Sequence, residues 1–420
     1  MAATAQSGFA ESQRAFPAGG IELFSHDDCL ATHGPAGHQE SPARVRAIVS
    51  AVVARFGGAV VRREDFECAS EEDLLRVHSA RYLRLIEALC DAAGAAGPAR
   101  PLSPALRASG FFGDAAAGDA GGTWVCGATS LAAKRAAGAG VAAVARAATT
   151  PGYRGFAAVR PPGHHATREG YDADAGGCGF CVLNNVAVAA AHARDVLGLR
   201  VAIVDFDVHH GNGTEAWVRS RPDEGIFFAS THLHEVHEDR DFDFFPGSGA
   251  TTARKRGETA GPTVFNVGIR PTWCDCPRNG EELGRRRIAN LISRAQKRFI
   301  DAVDAIAARL RVFEPDLLLF SAGFDAARGD AGQERPPDIR VNVDDGMGLE
   351  LAHFYAATAA LVAALPDAST PVVSMLEGGY GAFDGTAYDT ALLGQCVCAH
   401  LDALNAPPSE PSAKRRRRLG

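Results

Sequence analysis

From about residue 150 onward the chain alternates short apolar runs with longer stretches of helical periodicity. The apolar runs are Phe156–Val159, Val201–Val204, Ile226–Ala229, Thr263–Val267, Leu317–Phe320 and Val372–Met375. Short continuous runs of this kind predict strands buried on both faces. Most are separated by predicted helices at Asn184–Val196, Gly213–Arg219, Glu281–Arg311 and Gly348–Leu365. Strand and helix in alternation predict right-handed βαβ crossovers, and so a parallel sheet covered by helices on both faces. Upstream, Gly20–Phe24 predicts a first strand, and Pro42 stands in the first turn of a helix through Ile48. A second helical stretch is expected from Glu71 to about Ala92, and Ala128–Ala148 reads as an alanine-dense helix able to pack closely on a sheet. The Ala/Gly/Pro-rich segment Asp91–Gly122 predicts a surface loop. No repeat or linker interrupts the pattern. One α/β domain is therefore expected over 20–405, between a leader at 1–19 and a tail at 406–420.

Composition narrows the class only a little. With 46% hydrophobic and 22% charged residues the chain has ample material for a large core. A net charge of −7 argues against a protein built to coat nucleic acid, and no apolar run approaches the length of a membrane span. The first residues lack the basic-then-apolar order of a secretory signal. Ten cysteines at irregular spacing then point to reduced thiols in a cytosolic or nuclear setting. The run Lys414–Arg418 is a candidate nuclear-import signal on a solvated tail.

The chemistry gathers at strand ends. Val201–Val204 leads directly into Asp205, Asp207, His209 and His210, then Gly211-Asn212-Gly213. In extended backbone Asp205, Asp207 and His209 share a face, with successive members about 7 Å apart at Cα. Carboxylate oxygen and imidazole nitrogen converging on one point suit a borderline divalent ion such as zinc, but a further ligand must come from elsewhere. Open α/β sheets bind ligands beyond the carboxyl ends of their strands. There the chain places Arg160-Pro-Pro-Gly-His-His-Ala166, Ser230-Thr-His232, Ser321-Ala-Gly-Phe-Asp325 and Glu377-Gly-Gly-Tyr380. Asp325 is the natural third ligand, and two Asp with one His leave a position open for water, as in catalytic zinc sites. His164 and His165, presented by a Pro-Pro-Gly turn, are candidates for general base and acid. Asp205 is placed to orient one imidazole and Asn212 the other. Tyr380, on a double-glycine turn, offers a phenol to a developing oxyanion. Gly179-Phe180 and Phe244-Phe245 are candidates for the walls of an apolar slot.

Together the motifs Arg160-Pro-Pro-Gly-His-His-Ala166, Gly179-Phe-Cys-Val-Leu-Asn-Asn-Val-Ala187, Asp205-Phe-Asp-Val-His-His-Gly-Asn-Gly-Thr214, Phe244-Phe-Pro-Gly-Ser-Gly249, Ser321-Ala-Gly-Phe-Asp-Ala326 and Leu376-Glu-Gly-Gly-Tyr380 resemble the zinc-dependent histone deacetylase family. The resemblance spans nearly the whole domain. It implies the arginase/deacetylase fold, a three-layer α/β/α sandwich on a central, mostly parallel sheet. It also implies one zinc ion on Asp207, His209 and Asp325, with His165 as general base and acid and His164 as its electrostatic partner. Tyr380 would polarise the acetyl carbonyl, and Asp205 and Asn212 would back the two histidines. A structural potassium ion is implied at Asp205, Asp207, His209, Ser230 and Thr231, mostly through carbonyls. Gly179, Phe180 and Phe245 would flank an acetyl-lysine side chain. Asn at 212 resembles the class II branch, and Tyr380 its active members. The chain departs from the family at His38-Gln-Glu-Ser-Pro-Ala-Arg44, which leaves Arg44 as candidate inner-channel arginine. Gly121-Gly122 stands about where the acid that grips the substrate backbone is expected, with Asp114 or Asp119 as substitutes. Asn266–Cys276 departs as well.

These features make the expected activity zinc-dependent removal of acetyl groups from lysine side chains of histones or other proteins. The expected partners are those substrates and a corepressor-type complex, and the expected location is nucleus or cytoplasm. An acetylpolyamine or small-amide deacetylase is the alternative within the same chemistry. Polyamine-selective relatives can carry a gatekeeping Glu two residues after the Asp of a Gly-Asp pair, whereas here Ala331 and Gly332 follow Asp330. The acidic stretch Glu235–Asp243 would attract a polyamine or a basic histone tail. A non-catalytic acetyl-lysine scaffold would be signalled by loss of Tyr380 or of a zinc ligand. Two further readings are a thiol pair at Cys178 and Cys181 and a second metal site at His232, His234 and His237.

Overall fold

A computed structural model describes residues 20–31, 34, 37–94, 99–102, 122–172, 174–222, 225–234, 244–251, 263–276, 282–333, 343 and 345–406. Its strands in chain order are β1 (Ile21–Phe24), β2 (Val60–Arg63), β3 (Arg100–Pro101), β4 (Trp124–Val125), β5 (Arg154–Ala157), β6 (Val201–Asp205), β7 (Ile226–Leu233), β8 (Val264–Ile269), β9 (Leu317–Ala322), β10 (Val372–Leu376), β11 (Ala382–Phe383) and β12 (Tyr388–Asp389). The helices are α1 (Ala43–Phe56), α2 (Glu71–Leu75), α3 (Ala80–Ala93), α4 (Thr129–Ala147), α5 (Asn185–Asp195), α6 (Asn212–Arg219), α7 (Arg285–Phe313), α8 (Leu351–Val362) and α9 (Ala391–Leu404). Eight strands form one parallel sheet in the order β2-β1-β5-β10-β9-β6-β7-β8.

The buried strands are apolar throughout because each feeds two cores. Val201 and Ile203, Leu317 and Leu319, and Val373 and Met375 pack with the alanine faces of α4 and α5. Their neighbours Ala202, Val204, Leu318, Phe320 and Val372 pack on the other face against Phe299 of α7, Phe354 of α8 and Leu401 of α9. Alternation along each strand thus divides the side chains between the two helical layers. This is the three-layer α/β/α sandwich. The chain leaves β5 on one side of the sheet and resumes at β6 on the other, and β9 and β10 later fill the gap. The four central strands end side by side, which is where such a sheet forms its crevice.

Several predicted elements shift. The helical stretch from Glu71 divides into α2 and α3, because Ser79 Oγ accepts the Tyr82 N–H at 3.1 Å and starts a new helix. β5 begins at Arg154 rather than Phe156, since the buried Arg154 guanidinium is satisfied by the carbonyls of Tyr153, Thr370 and Leu404. β7 runs on through Ser230, Thr231 and His232, whose backbone keeps pairing with β8. β2 and α9 are additions that the apolar pattern does not reveal.

Two buried histidines lie outside the strand-end cluster. His400 of α9 bridges Thr358 Oγ1 at 2.7 Å and Ser374 Oγ at 2.8 Å, and His78 Nε2 accepts the Asn184 N–H at 2.9 Å. Burial drives both down from 6.5, to about 3 and about 4 respectively. The unfolded chain therefore binds more protons than the folded one below pH 6.5. Their contribution is complete above pH 6.5 and is lost progressively toward pH 3, on the order of a few kcal/mol together. Denaturant unfolding of the wild type and His400→Gln, followed from pH 7.5 to 5, should show the wild type losing stability relative to the variant as the pH falls.

Candidate functional site

β6 delivers the centre of the site. Its last residue, Asp205, is followed by a tight segment in which the Asp207 N–H donates to Asp205 Oδ1 at 3.1 Å and the His209 N–H to Asp207 Oδ1 at 2.9 Å. Asp325, just beyond β9, accepts the Val208 N–H at 2.9 Å, and Asp207 Oδ2 accepts the Gly378 N–H at 2.7 Å. These backbone bonds aim both carboxylates at one imidazole. His209 Nδ1 lies 3.1 Å from Asp207 Oδ1 and 3.1 Å from Asp325 Oδ2. One ligand atom from each of the three residues falls within 4.8 Å of the others. Gly323 and Gly378 permit this convergence, since a Cβ on either would collide with these carboxylates.

Both carboxylates are fully buried, and burial with the nearby Asp207 charge pushes the Asp325 carboxyl up. Burial lowers His209, but the hydrogen bonds and charges of Asp207 and Asp325 outweigh it and lift the ring to about 9. Two carboxylates held together away from water call for a cation, and an oxygen-oxygen-nitrogen donor set fits zinc.

The histidine pair is fixed by its surroundings. Glu377 Oε2 accepts the N–H groups of Gly163 at 2.7 Å and His164 at 3.1 Å, and Asn184 Nδ2 donates to the Ala166 carbonyl at 3.2 Å. His164 Nδ1 lies 2.9 Å from Asp205 Oδ2, and His165 Nδ1 lies 2.7 Å from Asn212 Oδ1. The two rings are 3.9 Å apart at their centroids. Burial lowers His164, but Asp205, Asp207 and Glu377 together hold it up at about 10. Burial, then the His164 and His209 charges, drive His165 well below its ordinary value. One ring is therefore a fixed cation and the other a neutral base. Environments that push neighbouring groups apart in this way assign acid and base roles.

Tyr380 sits on a turn clamped from two sides. Asp330 Oδ2 accepts the Tyr380 N–H at 2.9 Å and the Gly381 N–H at 2.7 Å, while Oδ1 accepts the Gly332 N–H at 2.9 Å. Arg44 Nε donates to the Gly379 carbonyl at 2.6 Å, and its Nη2 donates to the Glu377 carbonyl. Arg44 is completely buried, shares Glu40 with the equally buried Arg160, and places its guanidinium 4.8 Å from the centre of the Tyr380 ring. The candidate channel arginine braces the tyrosine turn through these two carbonyls. Burial raises the Tyr380 phenol well above its usual range, so it stays a hydroxyl donor at neutral pH.

Aromatic rings flank these groups. Phe180 meets Tyr380 edge-on at 5.7 Å, and Phe245 meets His165 at 4.9 Å. Phe244 stacks on His209 at 5.0 Å with an interplanar angle of 8°. Gly179 lies over His165, where any side chain would strike the ring. Phe180 has φ 67°, a conformation costly for a bulky residue, and its N–H donates to Thr123 Oγ1 at 2.9 Å.

The remaining candidates divide. Ser230 pairs in register with Asp205, and the buried hydroxyl of its neighbour Thr231 has no hydrogen-bond partner among the described residues. That orphan beside the buried Asp205 carboxylate fits an additional cation there. His232 spends one ring nitrogen on Ser230 Oγ and the other on the Gly249 carbonyl, so it has none left for a metal. Cys178 and Cys181 form no disulfide, and burial with the Glu377 charge holds the Cys181 thiol far above its usual value, the reverse of an activated thiol. Asp114, Asp119, Gly121, the Glu235–Asp243 stretch, His237 and the tail lie outside the described residues. The role of Glu377, Asp330 and Glu40 as clamps is not evident from the sequence, although Glu377 and Asp330 stand in its motifs. A charged residue directly beside a glycine turn or strand end was the available signal.

Among the described residues no helix is long and apolar enough to cross a membrane. The chain is similar to type-2 histone deacetylase 2 of Dictyostelium discoideum, 29% identical over 399 residues, covering 90% of this chain and 20% of that protein. It is also similar to human polyamine deacetylase HDAC10, 30% identical over 408 residues, covering 93% of this chain and 49% of the other. The chain therefore spans half or less of these two relatives. The crystal structure of the HDA15 HD domain superposes with a TM-score of 0.63 at 24% identity, over 95% of this chain and 91% of that one, and so shares the fold. The model of the histone deacetylase domain matches residues 38–395, a span containing every residue of the site built above, and the chain belongs to the histone deacetylase family.

Proposed function

We propose that this chain is a zinc-dependent amide hydrolase that removes acetyl groups from lysine side chains of proteins. The observation that carries the reading is the Asp207–His209–Asp325 cluster beside a neutral His165 and the Tyr380 hydroxyl. A zinc ion on those three residues would polarise an acyl oxygen and make a neighbouring water acidic. His165 Nε2 accepts the proton of the attacking water. Tyr380 donates its hydroxyl hydrogen to the acyl oxygen as that oxygen gains charge. His165 then returns the proton to the departing amine nitrogen, while the His164 cation limits the time His165 stays charged. Potassium at Asp205, Asp207, His209, Ser230 and Thr231 would neutralise the buried Asp205 side of the site. Phe180 and Phe245 would enclose the methylenes of an extended lysine side chain.

Tyr380→Phe keeps the ring contacts and removes only the donor. Its kcat should fall about 10²–10³-fold with KM little changed, read by steady-state acetate release.

The polyamine reading is favoured by the similarity to human polyamine deacetylase HDAC10. Against it, a Cβ at Gly332 would lie 2.5 Å from Asp325 Cβ and 3.0 Å from Tyr380 Cε2, so this position has no room for a gatekeeping Glu. Comparing kcat/KM for an acetyl-lysine histone peptide and for N-acetylputrescine separates the two readings. A clear preference for the peptide is expected, and a preference for the polyamine would replace the proposal. Acetylated histones or other nuclear and cytoplasmic proteins are the substrates, and a corepressor-type complex the partner, that fit this reading.

A further inference from the structure

We infer that Asp172, in the loop following the histidine pair, is a positioning residue that sets the tautomer of His165 by fixing the Asn212 amide. The inference rests on His165 being the general base. Asn212 touches two partners at once. Its Oδ1 lies 2.7 Å from His165 Nδ1, and its Nδ2 lies 2.6 Å from Asp172 Oδ2. An amide side chain can be turned either way about its last bond, and a histidine opposite it can donate or accept. Neither partner alone therefore decides which nitrogen of His165 carries hydrogen.

Asp172 decides it, because a carboxylate only accepts. The Asn212 NH₂ must face Asp172, so its oxygen must face His165. His165 Nδ1 must then donate, which leaves the Nε2 lone pair free toward the reacting centre. The second imidazole is oriented differently, since His164 meets the Asp205 carboxylate directly and needs no intermediary. An amide in place of an acid at 212 thus has its direction restored by an acid one bond further out.

Asp172 is itself well placed to hold still. Its other oxygen, Oδ1, accepts the N–H groups of Asp174 at 3.0 Å and Ala175 at 3.3 Å. Its backbone N–H donates to the Gly177 carbonyl at 3.4 Å, and its carbonyl accepts the Gly176 N–H at 3.0 Å. The adjoining Thr167–Tyr171 turn packs on the buried Tyr82 ring, and Thr167 Oγ1 donates to the Tyr171 carbonyl at 2.9 Å. The residue is half-buried.

The test is a swap of acid and amide. Asp172→Asn keeps an oxygen for the Asp174 and Ala175 N–H groups but turns an NH₂ toward Asn212, whose amide must then reverse. Expected are a kcat loss of about 10–100-fold with KM nearly unchanged. Nitrogen NMR of ¹⁵N-histidine-labelled protein should show the His165 hydrogen moving from Nδ1 to Nε2. The double variant Asp172→Asn, Asn212→Asp returns an acceptor to His165 and a donor to the new acid. It should regain the Nδ1–H form and most of the lost kcat. An unchanged His165 tautomer in Asp172→Asn overturns the inference, as does a double variant with the Nε2–H form. A tautomer that moves while kcat stays constant would uphold the role of Asp172 and overturn His165 as the base.

Discussion

Asp325→Asn should leave a folded protein that has lost its metal and its turnover. Asparagine keeps an oxygen to accept the Val208 N–H, so the backbone after β6 stays in place. What disappears is one of two carboxylates facing His209 Nδ1 at 3.1 Å. The remaining Asp207 and His209 cannot complete a three-ligand zinc site. Loss of Lewis-acid stabilisation worth several kcal/mol corresponds to about 10³-fold or more in kcat. Metal content by elemental analysis and acetate release should fall together, while the unfolding midpoint does not drop below that of the metal-free wild type, because the change also removes a charge that burial disfavours. Retention of one zinc per chain by this variant would remove Asp325 from the ligand set.

His165→Ala should reduce kcat about 10²–10⁴-fold with zinc still bound. His165 is the member of the pair whose ring is kept neutral, by burial and by the positive ring of His164. His164→Ala should cost less, since that ring acts through charge and not through proton transfer. Its loss also strands the buried Asp205 Oδ2, now paired at 2.9 Å, so this variant should be the less stable of the two. Kinetics and thermal unfolding of both proteins check the split. Equal losses of kcat would mean that both rings handle the proton.

The centre of this site is legible in the sequence because its ligands are local or stand at strand ends. Asp205, Asp207 and His209 follow one apolar run, and Asp325 follows another, so strand direction alone brings them to one edge. The sheet is legible for the same reason: Val201–Val204 and Leu317–Phe320 are apolar at every position because each side faces a helical layer. β2 is hidden because Val60–Arg63 is an edge strand with two arginines and only partial burial. The break between α2 and α3 turned on one hydroxyl, Ser79, inside an otherwise helical pattern.

The supporting shell is less legible. Arg44 reaches the carbonyls of Glu377 and Gly379, more than 300 positions away in the chain, and nothing local to it indicates a partner there. Asp172 reads as an ordinary loop acid until α6 brings Asn212 against it. Contacts of this kind depend on which loops the fold places together, and spacing along the chain does not encode them.

The most direct test of the account is acetate release from an acetyl-lysine histone peptide before chelation, after chelation, and after zinc is returned. The account predicts that turnover is lost with the metal and recovers as one zinc per chain rebinds. Turnover that is indifferent to chelation, or a fully zinc-loaded protein that releases no acetate from either the peptide or N-acetylputrescine, would contradict it.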